Sequence, residues 1–362
     1  MSKRIIFTVT NDLSFDQRMI RICSSLSRAG YDVWLLGRKS KDSIPLTDQP
    51  FRQIRLLTPF SSGKLFYACF NIQLFFYLLF KRTNIICAID LDSILPCLLV
   101  SKIKGCQRIY DAHELFCEMK EVMSRPAVYG FWKRIEKYAV PRFNYGYTVN
   151  QLIADEFNSM YGVDYAVIRN VPLLQPNNNN PAKEPFILYQ GAVNEGRCFE
   201  TLIPAMKQVN APLIICGEGN FMQLAKELVR QYQLENKVIF KGNTAPAELK
   251  SITQRAAIGV TLFEKDGKNN YYSLANKYFD YIHAGTPQLC VDYPAYHAIN
   301  NLYETAVLIP DVDVISIASG LNNLLSDKQL YKRLAANCSS ARQQLNWQEE
   351  EKTLIAFYNN LS

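Results

Sequence analysis

Histidine is scarce in this chain, with 3 among 362 residues against 40 Lys plus Arg and 33 Asp plus Glu. A reaction that needs several acid–base groups working near neutral pH has little to draw on. The 10 cysteines are scattered, with no C-x-x-C and no Cys/His cluster at zinc spacing. No metal site is therefore expected, and the thiols are expected to be free, buried and reduced. No basic run interleaves with aromatics, which argues against a nucleic-acid partner. The net charge of +7 suits an anionic ligand or an acidic membrane surface. The first residues turn polar too early for a signal peptide and read as a strand, so a cytoplasmic location is expected. One segment, 65–80, is dense in Phe, Tyr and Leu between Lys64 and Lys81-Arg82, but Asn71 and Gln73 interrupt it and it is short for a membrane span. It reads first as a helix facing the core. The alternative is a peripheral contact through 64–82 at the inner face of a membrane.

What is present is the composition of a globular protein, 48% hydrophobic and 20% charged, at a length that suggests two domains. Residues 5–10 form an apolar, β-rich run, 11–16 a loop, and 17–28 a segment with helical spacing; Gly30 ends it and 31–36 is the next strand. That is a βαβ unit, the building block of an open parallel sheet. Ligands of such sheets bind beyond the carboxyl ends of strands, which marks Asn11 and Asp12 as a site edge. The loop lacks G-x-G-x-x-G, which disfavours a dinucleotide site there. A later strand runs out in Asp111-Ala112-His113-Glu114, where three ionisable side chains meet at a strand end. His283 reads as structural and His297 lies in a loop. The segment 175–185 is polar and Pro-rich and reads as a linker. A second alternation of strands and helices follows, so the chain divides into a domain at 1–172, a linker at 173–185, a domain at 186–345 and a final helix at 346–362.

The stretch 271–287, Tyr-Tyr-Ser-Leu-Ala-Asn-Lys-Tyr-Phe-Asp-Tyr-Ile-His-Ala-Gly-Thr-Pro, carries the most chemistry. Ser273 reads as the N-cap of a helix that Gly285 and Pro287 stop, with Asn276 and Lys277 in its first turn. A helix start offers free N–H groups and partial positive charge, to which Lys277 adds a full one. Asp280 shares a face with both. Alone, the stretch is also a capped helix with a surface Lys277–Asp280 pair. Two α/β halves around a linker favour an anion.

Taken together, the strand–loop–helix at 11–18, Tyr110-Asp111-Ala112-His113-Glu114, Asn170 ahead of the linker, the loop Tyr189 through Arg197, Gly217-Glu218-Gly219 and 273–287 resemble the retaining glycosyltransferases of the GT-B fold, family 4. The resemblance spans nearly the whole chain in order. It implies two Rossmann-like, doubly wound α/β domains facing a cleft, with an acceptor side in the first, a nucleotide-sugar site in the second and a last helix crossing back to the first. By that resemblance His113 and Asp111 are catalytic with Arg197 and Lys277, the latter two neutralising the departing diphosphate. Gly191, Gly217, Glu218, Asn243, Ser273, Leu274, Asn276 and Asp280 hold the donor. Asn11, Asp12 and Glu114 lie on the acceptor side. The implied reaction is metal-independent hexosyl transfer with retention, needing no cofactor beyond its donor, a UDP-sugar rather than a GDP-sugar. The implied acceptor is a glycan or a lipid-linked glycan, as in polysaccharide biosynthesis. The chain departs from the family at Ala192, where an arginine is usual, and at Tyr272 and Asp280, where the family has a pair of glutamates. Those departures keep two alternatives in view, a nucleotide-sugar epimerase of the same fold and an inactive sugar-nucleotide-binding protein.

Overall fold

A computed structural model describes residues 2–14, 16–41, 43–176 and 181–361. The chain forms two compact units, residues 2–170 with 350–361 and residues 171–349. In the first, β1 (Arg4–Asp12), α1 (Gln17–Arg28), β2 (Asp32–Lys39), β3 (Arg52–Leu57), α2 (Gly63–Phe80), β4 (Ile85–Ile89), α3 (Ile94–Lys104), β5 (Gln107–Ala112), α4 (Lys120–Met123), α5 (Pro126–Ala139), β6 (Tyr145–Thr148), α6 (Gln151–Tyr161) and β7 (Ala166–Val167) follow in order. The second holds β8 (Glu184–Gln190), α7 (Phe199–Ala205), β9 (Leu213–Cys216), α8 (Met222–Gln231), β10 (Val238–Gly242), α9 (Pro246–Arg255), β11 (Ala256–Thr261), α10 (Gly267–Tyr272), α11 (Asn276–His283), β12 (Gln288–Val291), α12 (Pro294–Tyr303), β13 (Ala306–Ile309), α13 (Val314–Ser326) and α14 (Lys328–Ala341). A last helix, α15 (Trp347–Asn359), begins in the second unit and continues in the first.

Both sheets are parallel, in the orders β3-β2-β1-β4-β5-β6-β7 and β10-β9-β8-β11-β12-β13. Their central strands are covered on both faces and apolar along most of their length; β4, Ile-Ile-Cys-Ala-Ile, is buried at every position. Each order reverses once, between β1 and β4 and between β8 and β11. At such a reversal the crossover helices leave to opposite faces, and the gap beyond the strand ends is where ligands bind.

In the second unit one contact sets the helix that borders this gap. The Tyr281 ring of α11 lies flat on Gly259 of β11, where an added Cβ would come within 2.5 Å of the ring. Its hydroxyl donates to Leu188 O at 2.8 Å. In the first unit the core is completed by α15: Tyr358 is fully buried among Phe7, Tyr31 and Tyr147. Glu350 accepts from the backbone N–H of Arg169 at 2.8 Å and pairs with its guanidinium at 3.1 Å.

Several expectations change. β1 runs on through Asn11 and Asp12, so these are strand-end rather than loop residues. Asn177 through Asn180 of the expected linker lie outside the described residues, and its last two positions, 184 and 185, already belong to β8. β3, α10 and α12 were not foreseen; His297, placed in a loop by sequence, sits on α12 with Nδ1 2.7 Å from Asp292. The expectation that 65–80 faces the core holds for one stripe of α2 alone, Phe66, Phe70, Leu74 and Leu78. Among the described residues all 10 cysteines are free thiols, with Cys69 and Cys106 only half-buried.

Candidate functional site

The second unit gathers its candidate site residues where β8 and β11 end. Lys277 occupies the first turn of α11, yet it is buried, 8% exposed. Its Nζ lies 3.8 Å from the centre of the Tyr189 ring, at the end of β8, and 5.1 Å from that of Phe263, just past β11. The Arg197 guanidinium covers Phe263 at 4.5 Å. Neither cation makes an ion pair among the described residues. Ring faces attract a cation, but by no more than about 2 kcal/mol, well short of the cost of desolvating an isolated ammonium. Burial therefore drives the Lys277 pKa well below that of an ordinary lysine, and the neighbouring Arg197 charge pushes the same way. An anion that joined the pair would restore the charged form of Lys277 and offset its repulsion from Arg197.

The surrounding backbone is rigid. Gly191 and Gly217 donate N–H bonds to Cys216 O and Gly242 O at 3.0 and 2.9 Å, which ties the loops after β8, β9 and β10 together. Gly217 has φ +147°, and a Cβ there would sit 1.8 Å from Gly191 O. Between the first two loops the Asn220 N–H donates to Asn194 Oδ1 and the Glu195 N–H donates to Asn220 Oδ1, both at 3.1 Å. Glu218 and Asn243 are exposed at the strand ends. Asp280 accepts from Gln190 Nε2 at 2.8 Å, and Gln190 in turn accepts from Thr253 at 2.7 Å, so this carboxylate is fixed to the end of β8.

The sequence misplaced one element of this site. Ser273 is not the N-cap of α11. It follows the last residue of α10, and its hydroxyl donates to Asn270 O at 2.9 Å. Ala275 occupies the N-cap, with no side-chain cap, and its own N–H goes to the Tyr296 hydroxyl at 3.0 Å. Leu274 is buried between the two helices, and Asn276 is exposed at the start of α11. Lys277 is not the surface partner of Asp280 that the spacing allowed. A buried lysine flanked by rings from two strands gives no signal in local sequence.

The first unit carries a second cluster at its own reversal, beyond β1, β4 and β5. Asp111 is fully buried; its Oδ1 accepts from Arg18 at 3.0 Å, and Oδ2 lies 3.1 Å from His113 Nε2 in an ion-pair approach. On its other side His113 Nδ1 lies 3.4 Å from Asp90 Oδ2, while the His113 backbone N–H donates to Asp90 Oδ1 at 2.9 Å. Asp90 has φ +54°, a left-handed conformation that aims its carboxylate back at the ring. Asp92 accepts from Thr10 at 2.5 Å. Burial alone would lower the His113 pKa, but Asp111 and Asp90 outweigh it and push it up to about 9. Burial raises Asp90 and Asp92 to about 6. Burial would also raise Asp111, but Arg18 and His113 outweigh it and hold it below the usual range. His113 is thus an imidazolium at neutral pH, clamped between two carboxylates, and not an open proton shuttle.

The pH dependence has a definite sign. His113 has a higher pKa folded than the 6.5 of a free imidazole, so its stabilisation is complete below about 6.5 and vanishes as pH passes about 9. Replacing His113 by Asn is expected to cost about 2 kcal/mol at pH 6, less than the full linkage value because the ring is partly exposed. Urea melts of both proteins should converge between pH 6.5 and 9; a gap that stays constant would refute the clamp.

Of Asn11 and Asp12, expected on the acceptor side, Asp12 is bonded within the unit. Asp12 accepts from Ser14, Ser43 and Arg55; these bonds overcome burial and hold its pKa at about 2. Asn11 is exposed and only grazes Asp16 at 3.4 Å. Glu114 is half-buried beside His113. Arg18, Thr10, Asp90 and Asp92 were missed as members of this cluster. Arg18 had a readable signal, since it lies four residues before Ile22 on the apolar face of α1.

Residues 171–340 match the family described as Glycosyl transferases group 1. No curated protein matches the chain. Among solved structures, sucrose-phosphate synthase from Thermosynechococcus elongatus has a TM-score of 0.79 at 19% identity, covering 99% of each chain. Anabaena HepE in complex with UDP-glucose has a TM-score of 0.77 at 12% identity, covering 99% of this chain and 100% of its own. A variant of S. aureus TarM in complex with fondaparinux, alpha-GlcNAc-glycerol and UDP has a TM-score of 0.75 at 11% identity, covering 99% of this chain and 100% of its own. These likenesses establish the fold, two parallel-sheet α/β domains of the GT-B type.

Proposed function

We propose that this chain, whose residues 171–340 are a glycosyl transferases group 1 domain, moves a sugar from a UDP-sugar to a hydroxyl of a glycan or lipid-linked acceptor with retention of anomeric configuration. The observation that carries the reading is Lys277, a buried amine on two aromatic rings with Arg197 beside it and no ion pair among the described residues. Such a pair is matched to a diphosphate, whose charge grows as the glycosidic C–O bond breaks. Lys277, Arg197 and the α11 start then supply the stabilisation that a metal ion gives elsewhere. In the retaining reaction the acceptor oxygen bonds to the anomeric carbon on the face the diphosphate leaves, and the leaving phosphate oxygen takes the acceptor proton. Rigid loops after β8, β9 and β10, with Glu218 and Asn243 at their tips, suit the nucleoside. The choice of UDP draws on the UDP-glucose complex of HepE.

Calorimetry with UDP and with UDP-glucose tests both the site and the reading. One equivalent is expected to bind. Because an anion raises the depressed Lys277 pKa, binding should be accompanied by proton uptake, seen as a heat that changes with buffer ionisation enthalpy. Lys277→Met should abolish that uptake. Absence of any heat or thermal shift with either nucleotide would sink the proposal.

A further inference from the structure

Among the described residues, eight of the 17 exposed large apolar side chains lie on three neighbouring helices of the first unit. α2 keeps a single buried stripe and leaves Leu65, Ile72, Phe76 and Phe80 between 52% and 77% exposed. Beside it, α3 exposes Leu99 and Ile103, and α5 exposes Phe131 and Tyr138. The three helices adjoin, Tyr67 of α2 meeting Trp132 of α5 edge-on with ring centres 5.5 Å apart. Singly exposed apolar residues are ordinary, but a continuous patch on three neighbouring helices marks a contact surface.

The charges on this face have one sign. Lys64 precedes α2, Lys81 and Arg82 follow it, α3 ends in Lys102 and Lys104, and α5 exposes Arg134 and Lys137. Neither α2 nor α3 contains an acidic residue. The one acid of α5, Glu136, is buried and paired with Lys133 at 2.7 Å. An aromatic and aliphatic surface rimmed by unopposed cations matches the boundary between acyl chains and anionic headgroups. A second copy is a poor occupant, because a two-fold contact of this face with itself would bring like charges together.

We propose that the α2–α3–α5 face of the first unit rests on an anionic lipid bilayer, with α2 in the interfacial plane. α2 does not span it: its 18 residues reach about 27 Å at the usual rise, and leaving the fold would expose Phe66, Phe70, Leu74 and Leu78. It would also break the bond from Asn71 Nδ2 to Asp92 O at 3.0 Å. The inference does not depend on the donor or on the reaction.

Flotation of the full chain with vesicles of phosphatidylcholine, and of phosphatidylcholine with an equal part of phosphatidylglycerol, tests it. Binding is expected only to the anionic vesicles and should weaken in high salt. Lys64→Glu and Lys102→Glu, both at exposed positions, should each weaken it by about fivefold or more. Phe76→Ser with Phe80→Ser should weaken it by about tenfold or more while leaving the thermal melt and UDP binding unchanged. Failure of the wild type to float with anionic vesicles would overturn the proposal, as would flotation of the Phe76/Phe80 variant at wild-type level. Light scattering that shows a lipid-free dimer, dissolved by Phe80→Ser, would assign the face to a second copy and overturn it too.

Discussion

Lys277→Ala is expected to lower kcat for sugar transfer by about 10²- to 10³-fold, the usual effect of removing one preorganised group from a developing anion. KM for the donor should rise much less, because the departing diphosphate carries more charge in the transition state than in the bound substrate. Stability should move the other way. In the ligand-free protein Lys277 is a buried amine whose pKa burial and Arg197 push well below the ordinary value, so its removal relieves a burial cost that offsets the small cavity left against Tyr189 and Phe263. The combination of lost turnover with an unchanged or higher Tm separates a functional lysine from a structural one. If Lys277→Ala melts early, or retains wild-type kcat, the assignment of the anion site is wrong. Lys277→Arg should rescue poorly, since the planar fork is larger than the space between the two rings.

Gly217→Ala is expected to destabilise the second unit by about 3–5 kcal/mol, the largest effect of any single methyl group here. Two costs add. The backbone at φ +147° is one that a residue with a side chain adopts only under strain, and the new Cβ would lie 1.8 Å from Gly191 O. Because Gly191 and Gly217 hold their partners in the loops after β8, β9 and β10, relief by backbone movement would also separate the loops that border the anion site. Urea unfolding should show the loss, and UDP binding should weaken even where the variant is folded. A variant with wild-type stability would mean that the two loops do not meet as described.

The alternation of strands and helices was legible because each central strand is an unbroken apolar run and each covering helix repeats at 3.6 residues. β3 and α10 escaped for the same reason in reverse. Arg-Gln-Ile-Arg-Leu-Leu is an edge strand with mostly polar or half-exposed positions, and Gly-Lys-Asn-Asn-Tyr-Tyr has no apolar period. At the site, the residues that end strands could be found: Asp111, His113, Gly191 and Gly217 all stand where a strand runs out. What could not be read was how their surroundings alter them. Ser273 has the identity and the position of an N-cap, but a tyrosine from α12, Tyr296, takes the N–H that starts α11. His113 looked like an open acid–base group until Asp90, brought in by β4, closed its second nitrogen. Lys277 looked like a surface charge because Tyr189, which covers it, is 88 residues away in the chain. Long-range neighbours set the protonation of His113 and Lys277, and no local pattern reports them.

The split composition of the first unit has a consequence for how the chain acquires its structure during vectorial synthesis. Most multidomain chains complete their domains in the order in which they leave the ribosome. Here the unit made first lacks Tyr358 and Glu350 until the end, and those residues fill the space among Phe7, Tyr31 and Tyr147 and fix Arg169. The uninterrupted residues 171–349 can close before them. The half with the basic, apolar helices stays unsealed until α15 is available, which makes the docking of α15 the step that completes the first unit.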